Sequence, residues 1–121
     1  MRTAEKTIEP KNDVGRPTVL ILAASERAPA YEAQIRVLEE QADEFDANGI
    51  VVGCVLQEGE SRIGSVRLER EEADEIRRRY ASPDEDFQIV VLSDSGEVVR
   101  SDDAPLQGDA ILRALEVRQA E

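Results

Sequence analysis

One cysteine and no histidine limit the chemistry that this chain of 121 residues can perform. Because Cys54 is the only thiol, the chain can form neither an intramolecular disulfide nor a Cys-x-x-Cys motif. Cys54 stands between Gly53 and Val55 in an apolar segment, where a single cysteine usually packs as a small hydrophobic side chain. No His or Lys lies nearby in the sequence to lower its pKa, so we predict an unreactive thiol.

Charged clusters are the next candidates for chemistry. Asp84-Glu85-Asp86 and Asp102-Asp103 could gather at one end of a sheet and bind a hard cation. Neither has the spacing of a calcium loop, and a chain with net charge −12 produces such runs by chance. Arg77-Arg78-Arg79 is the only basic cluster, and its acidic neighbours indicate a solvated helix face. We therefore expect no metal and no cofactor, and the net charge opposes binding to nucleic acid or anionic membranes.

The remaining polar side chains of interest lie at a junction, residues 24–31, where an apolar strand runs into a helix. Residues 18–24 form a continuous apolar run, typical of a strand covered on both faces. Pro29 fits the first turn of a helix, whose free N–H groups can bind an anion or a peptide carbonyl. Ser25 is predicted to cap this helix rather than to act as a nucleophile. The candidate binding residues are Ser25, Glu26, Arg27, Pro29, Tyr31 and, from a later strand, Phe87.

Hydrophobic periodicity predicts the elements that position this junction. Apolar residues at spacings of four and three indicate a helix over about residues 29–47, with its stop at Asn48-Gly49. Residues 57–67, with two glycines and four charges, predict a flexible loop. The other predicted elements are strands at 50–56, 87–92 and 98–100, a helix at 70–80, and a last helix that begins at Asp102-Asp103-Ala104-Pro105 and ends near residue 118.

This order predicts an α/β fold: thioredoxin-like, with a four-stranded mixed sheet (β-α-β-α-β-β-α) and helices on both faces. The tight turn at residues 93–96 indicates an antiparallel hairpin and argues against a flavodoxin-like sheet. We expect a polar N-terminal tail over residues 1–16 and a single domain over 17–121. No signal peptide is visible in the sequence, so we expect a cytoplasmic protein, with an exported mature form as the open alternative. No apolar run approaches the length of a membrane span.

Three segments carry a resemblance to a known family. They are residues 24–34 (Ala-Ser-Glu-Arg-Ala-Pro-Ala-Tyr-Glu-Ala-Gln), the helix end Arg79-Tyr80, and residues 87–92 (Phe-Gln-Ile-Val-Val-Leu) with the turn at Gly96. Over roughly residues 17–116 the sequence resembles thioredoxin-like proteins that lack the redox cysteines. That family is a domain of unknown function, related to domains of sushi-repeat extracellular proteins. Asp94-Ser95-Gly96 departs from the family's usual Lys-Asp-Gly turn, and its usual Asp and Met-Pro ending after the last helix is absent.

The resemblance implies a function without disulfide chemistry. Thioredoxin-like enzymes hold Cys-x-x-Cys at the position of residues 24–31 and a cis-proline before the third strand, where this chain has Phe87-Gln88. The favoured hypothesis is a non-catalytic module that binds a protein or peptide partner. One alternative is a thiol oxidoreductase or peroxide-handling enzyme that uses Cys54. The other is an acidic, stress-related structural protein without a defined pocket.

Overall fold

The structure, a computed structural model, describes residues 16–80 and 86–119. Most helices and strands follow the apolar runs and amphipathic stripes of the sequence. In chain order the elements are β1 (Thr18–Ala23), α1 (Pro29–Glu40), α2 (Ala42–Ala47), β2 (Val51–Leu56), β3 (Arg62–Ile63), β4 (Val66–Arg67), α3 (Arg70–Tyr80), β5 (Phe87–Leu92), β6 (Val98–Asp102) and α4 (Gly108–Gln119). No helix of the described residues is long and apolar enough to cross a bilayer.

The sheet has the order β4-β3-β2-β1-β5-β6, with β1 and β5 at its centre. β1 and β2 run parallel and are connected through α1 and α2, and every other neighbouring pair is antiparallel. In this register Ala23, the last residue of β1, lies beside Leu56 at the end of β2 and Phe87 at the start of β5. The predicted hairpin of β5 and β6 is confirmed, with one irregularity in pairing near Val91 and Leu92.

The prediction of four strands was wrong, because the segment expected to be a flexible loop holds two more. β3 pairs with β2, and β4 extends the sheet from β3 to its edge. Only Gly64 and Ser65 separate the two short strands, and Gly64 adopts a φ of 60°, the left-handed conformation that tight hairpins need. A two-residue Gly-Ser connection between short β-branched segments is the sequence signal for this hairpin.

Two helix boundaries also differ from the predictions. The helix expected over residues 29–47 is divided at Gln41, whose N–H bonds to the Leu38 carbonyl three residues back, while the apolar stripe continues through Phe45. The last helix begins at Gly108 rather than near Asp102, because Asp102 is still paired with Ile89 in the sheet. Asp102 therefore belongs to a strand and does not lie at a helix N-terminus.

Each face of the sheet is covered by helices, as predicted. Alternating side chains of β1 point to opposite faces, so the strand contributes to two cores. One core lies against α1, α2 and α4, and the other lies against α3. The first contains Val19, Ile21, Ala23, Leu38, Phe45, Ile50, Leu56, Phe87, Ile89, Val91, Leu106, Ile111, Leu112 and Leu115. The second contains Leu20, Leu22, Val55, Ile63, Ala73, Ile76, Val90 and Leu92.

A buried glutamine connects α1 to the segment that leads into α4. Gln34 is fully buried; its Nε2 donates to the Leu106 carbonyl at 2.9 Å, and its Oε1 accepts the Leu106 N–H at 2.7 Å. The side-chain amide thus pairs with one residue as a neighbouring strand would. It satisfies two backbone groups that lie outside any sheet or helix, and so fixes residues before α4 against α1.

Candidate functional site

The junction between β1 and α1 is held at the end of the sheet by backbone hydrogen bonds. Beyond the strands, the N–H groups of Gln57 and Glu58 donate to the carbonyls of Ala23 and Ala24 at 3.1 and 2.9 Å. These bonds continue the parallel ladder of β1 and β2 into the junction. The start of α1 is therefore supported by the central strand and by the chain that follows β2.

Ser25 does not cap α1, contrary to the prediction. The N-cap residue is Ala28, which is extended, has no side-chain cap, and precedes Pro29, a position at which extended backbone is preferred. The Ser25 hydroxyl instead accepts the Arg27 N–H at 3.2 Å, and the Ser25 carbonyl accepts the Ala28 N–H at 3.3 Å. Ser25 therefore shapes the turn that precedes the helix.

The six predicted binding residues divide between the surface and the core. Glu26, Arg27 and Pro29 are exposed, and Ser25 is half-buried beside them. Phe87 is 5% exposed and packs in the core next to Ala23, its partner across the sheet, so its side chain is not presented at the surface. Asp84 and Glu85 of the acidic run lie outside the described residues.

Tyr31 and Cys54 meet below the exposed part of the junction. Tyr31 lies in the first turns of α1, Cys54 lies on β2, and both are half-buried against the core. A hydrogen bond joins their side chains, and it lowers the pKa of the thiol while it raises that of the phenol. Both directions are those expected when the Tyr31 hydroxyl donates to the sulfur, because a donor stabilises the thiolate. The sequence suggested no contact between these two residues.

Burial dominates the ionisation of this pair. It raises the pKa of the Cys54 thiol above its ordinary value; the Tyr31 hydrogen bond opposes this effect, and the negative charge of Glu26 adds to it. The pKa of Tyr31 is also raised, by burial first, then by Cys54, and then by Glu26. At neutral pH the sulfur is therefore a protonated thiol, the form that is a poor nucleophile and a poor metal ligand. Within the described residues, no group of three acidic, His or Cys side chains is placed to hold a metal ion.

A cavity of about 500 Å³ lies at the end of β2, on the side of the sheet covered by α3. None of the six predicted binding residues lines it. Its walls come from the end of β2, from the segment around β3 and β4, and from the first turns of α3; the lining residues are Leu56, Gly59, Glu60, Ser61, Arg67, Leu68, Glu69, Arg70 and Ala73. The sequence gives no signal for this cavity, because its pattern predicts a flexible loop over residues 57–67, which supply four of the lining residues.

Residues 16–120 match the family model described as "Domain of unknown function (DUF4174)". The chain belongs to this family. It is also similar to a solved structure named "DsbH Oxidoreductase", with 14% sequence identity and a TM-score of 0.51; the match covers 98% of this chain and 81% of that chain. No curated protein matches the sequence.

The similarity to that structure concerns the fold. At 14% identity it supports the thioredoxin-like architecture of this DUF4174 chain and carries no residue role from one protein to the other. In this chain the junction that begins α1, residues 24–31, holds no cysteine.

Proposed function

We propose that this DUF4174 protein is a non-catalytic, thioredoxin-like module that binds a protein or peptide partner at the junction of β1 and α1. The proposal rests on one observation: exposed polar side chains lie on a turn that the sheet holds in place. Glu26 and Arg27 are exposed in a turn fixed by Ser25, at the end of the central parallel strand pair. Sites at the carboxyl ends of parallel strands are common in α/β proteins.

The ionisation of Cys54 supports a role without thiol chemistry. An attacking cysteine needs a thiolate, and burial together with Glu26 favours the protonated form in this protein. The hydroxyl that interacts with the sulfur, that of Tyr31, is not a base at neutral pH, because its own pKa is raised. An oxidoreductase or peroxide-handling role for Cys54 is therefore the disfavoured alternative. The cavity beside α3 likewise argues against a protein without a defined pocket.

The proposal is tested by affinity capture with two matched variants. Wild-type protein, the junction variant Glu26→Ala/Arg27→Ala, and the control Arg36→Ala/Glu39→Ala on the exposed side of α1 are immobilised at equal density. Each double variant replaces one acidic and one basic residue by alanine, so the net charge of the protein is unchanged. We expect the captured proteins to be lost with the junction variant and kept with the control. Loss from both variants, or no difference between wild type and the junction variant, would contradict a binding role for the junction.

A second measurement separates binding from redox chemistry. Reduction of insulin disulfides by the protein with dithiothreitol should proceed at the rate of dithiothreitol alone, and Cys54→Ser should leave that rate unchanged. A rate above background that disappears in Cys54→Ser would establish the oxidoreductase alternative in place of the proposed function.

A further inference from the structure

The cavity beside α3 is built on fixed backbone. Ser61 is buried, and its hydroxyl accepts the Leu56 N–H at 2.9 Å and donates to the Leu56 carbonyl at 3.4 Å. These two bonds attach the segment that follows β2 to the last residue of that strand. The Ser61 carbonyl in turn accepts the Leu68 N–H at 2.8 Å. Leu56 and Leu68, the two larger apolar residues of the lining, are thereby held in place before any ligand arrives.

The charged residues of the cavity carry two positive and two negative charges. Arg67 and Arg70 are balanced by Glu60 and Glu69, in a chain whose net charge is −12. The charges that line the cavity therefore cancel, although the protein as a whole is acidic. An anionic group is repelled less at the cavity than at the acidic surface, and a cationic group can bind one of the two carboxylates.

These charged groups keep binding capacity. One nitrogen of the Arg70 guanidinium donates to the Gln57 carbonyl at 2.7 Å, which orients the group and leaves its other donors for a ligand. Arg67 is separated from Glu60 by 3.6 Å, and its side chain is 74% exposed, so that pair is weak. Among the residues that the structure describes, the Glu69 carboxylate has no hydrogen bond or ion pair.

We propose that this cavity binds a small zwitterion with an apolar body, namely a free amino acid with an aliphatic side chain or a dipeptide of such residues. Arg70 and Arg67 bind the carboxylate, Glu69 binds the ammonium group, and the partly buried side chain of Leu68 contacts the aliphatic part. The volume of about 500 Å³ lies within the ordinary range for small-molecule sites. This site is separate from the junction and does not depend on the proposed function.

The experiment titrates ¹⁵N-labelled full-length protein with four probes and follows amide chemical shifts. L-leucine and L-leucyl-L-leucine carry both charges, N-acetyl-L-leucine lacks the ammonium group, and L-leucinamide lacks the carboxylate. Probe concentrations up to about 10 mM detect dissociation constants in the millimolar range. We expect shifts confined to residues 56–73 with leucine or leucyl-leucine, and the tighter of these two probes identifies the ligand as amino acid or dipeptide.

Charge-removing variants locate the two ends of the ligand. Glu69→Gln and Arg70→Gln should each weaken binding by about tenfold, the loss expected for one charge-assisted contact. The matched changes Glu39→Gln and Arg36→Gln on α1 should leave affinity unchanged. The proposal is overturned if neither zwitterion shifts these amides, if N-acetyl-leucine or leucinamide binds as well as the zwitterions, or if the α1 controls weaken binding equally.

Discussion

Replacement of Gln34 by methionine isolates the contribution of one buried amide to the fold. The substitution keeps an unbranched side chain of similar length at a position with 0% exposure, so it adds little overpacking and leaves little void. It removes both bonds to Leu106, from Nε2 to the carbonyl at 2.9 Å and from the backbone N–H to Oε1 at 2.7 Å. The main consequence is the loss of these partners for two backbone groups.

The size of the effect follows from the desolvation of those groups. Each buried donor or acceptor left unpaired costs about 1–3 kcal/mol, so two of them cost about 2–6 kcal/mol. Single domains have a free energy of unfolding of about 5–15 kcal/mol, so the loss is a large fraction of stability. For a chain of this size, we expect the melting temperature to fall by about 10 °C or more.

The assay is urea unfolding followed by far-ultraviolet circular dichroism, because the chain has no tryptophan for fluorescence. The matched control is Gln107→Met, the same substitution at an exposed position next to Leu106. Exposed substitutions away from special contacts usually change stability by less than about 0.5 kcal/mol. If Gln34→Met unfolds within that margin of wild type, the Leu106 groups find other partners and the reasoning is refuted.

Three further predictions concern packing, the thiol and charge. Gly53→Ala should destabilise the protein by about 1–3 kcal/mol in the same urea assay, because the new Cβ would lie 2.9 Å from Ile63 and 3.0 Å from Leu20. An unchanged midpoint would show that these side chains make room for the methyl group without cost. The native Cys54 thiol should react slowly with a disulfide probe at neutral pH and faster as pH rises, and the midpoint of this rise should lie above the ordinary pKa of a thiol. Tyr31→Phe should move the midpoint to still higher pH, because the substitution removes the hydrogen bond that favours the thiolate. A lower midpoint in Tyr31→Phe would show that the hydrogen bond acts in the opposite sense. Potassium chloride at about 0.15 M should raise the melting temperature by screening repulsion over distances beyond about 8 Å, and a flat or falling dependence would count against destabilisation by the net charge of −12.

Elements defined by long apolar patterns were predictable from the sequence. β1, β2 and β5 are continuous apolar runs, and a buried strand needs no other signal to be recognised. The tight turn before β6 predicted the hairpin, because strands joined by so few residues must run antiparallel. The absence of catalytic sulfur at the junction was equally a property of the sequence, since one cysteine cannot make a Cys-x-x-Cys motif.

Only the tertiary structure determines the contacts between residues that are far apart in the chain. β3 and β4 have two residues each, too few for a periodic pattern, and they exist because β2 offers Gly53 and Cys54 as pairing partners. The pairing of Gln34 with Leu106, separated by 72 positions, turns a polar helix residue into a buried anchor. The cavity beside α3 likewise forms only when the end of β2, the β3–β4 segment and the start of α3 are brought together. Local patterns determine which segments become helices and strands, whereas burial, pairing and pKa depend on neighbours that only folding supplies.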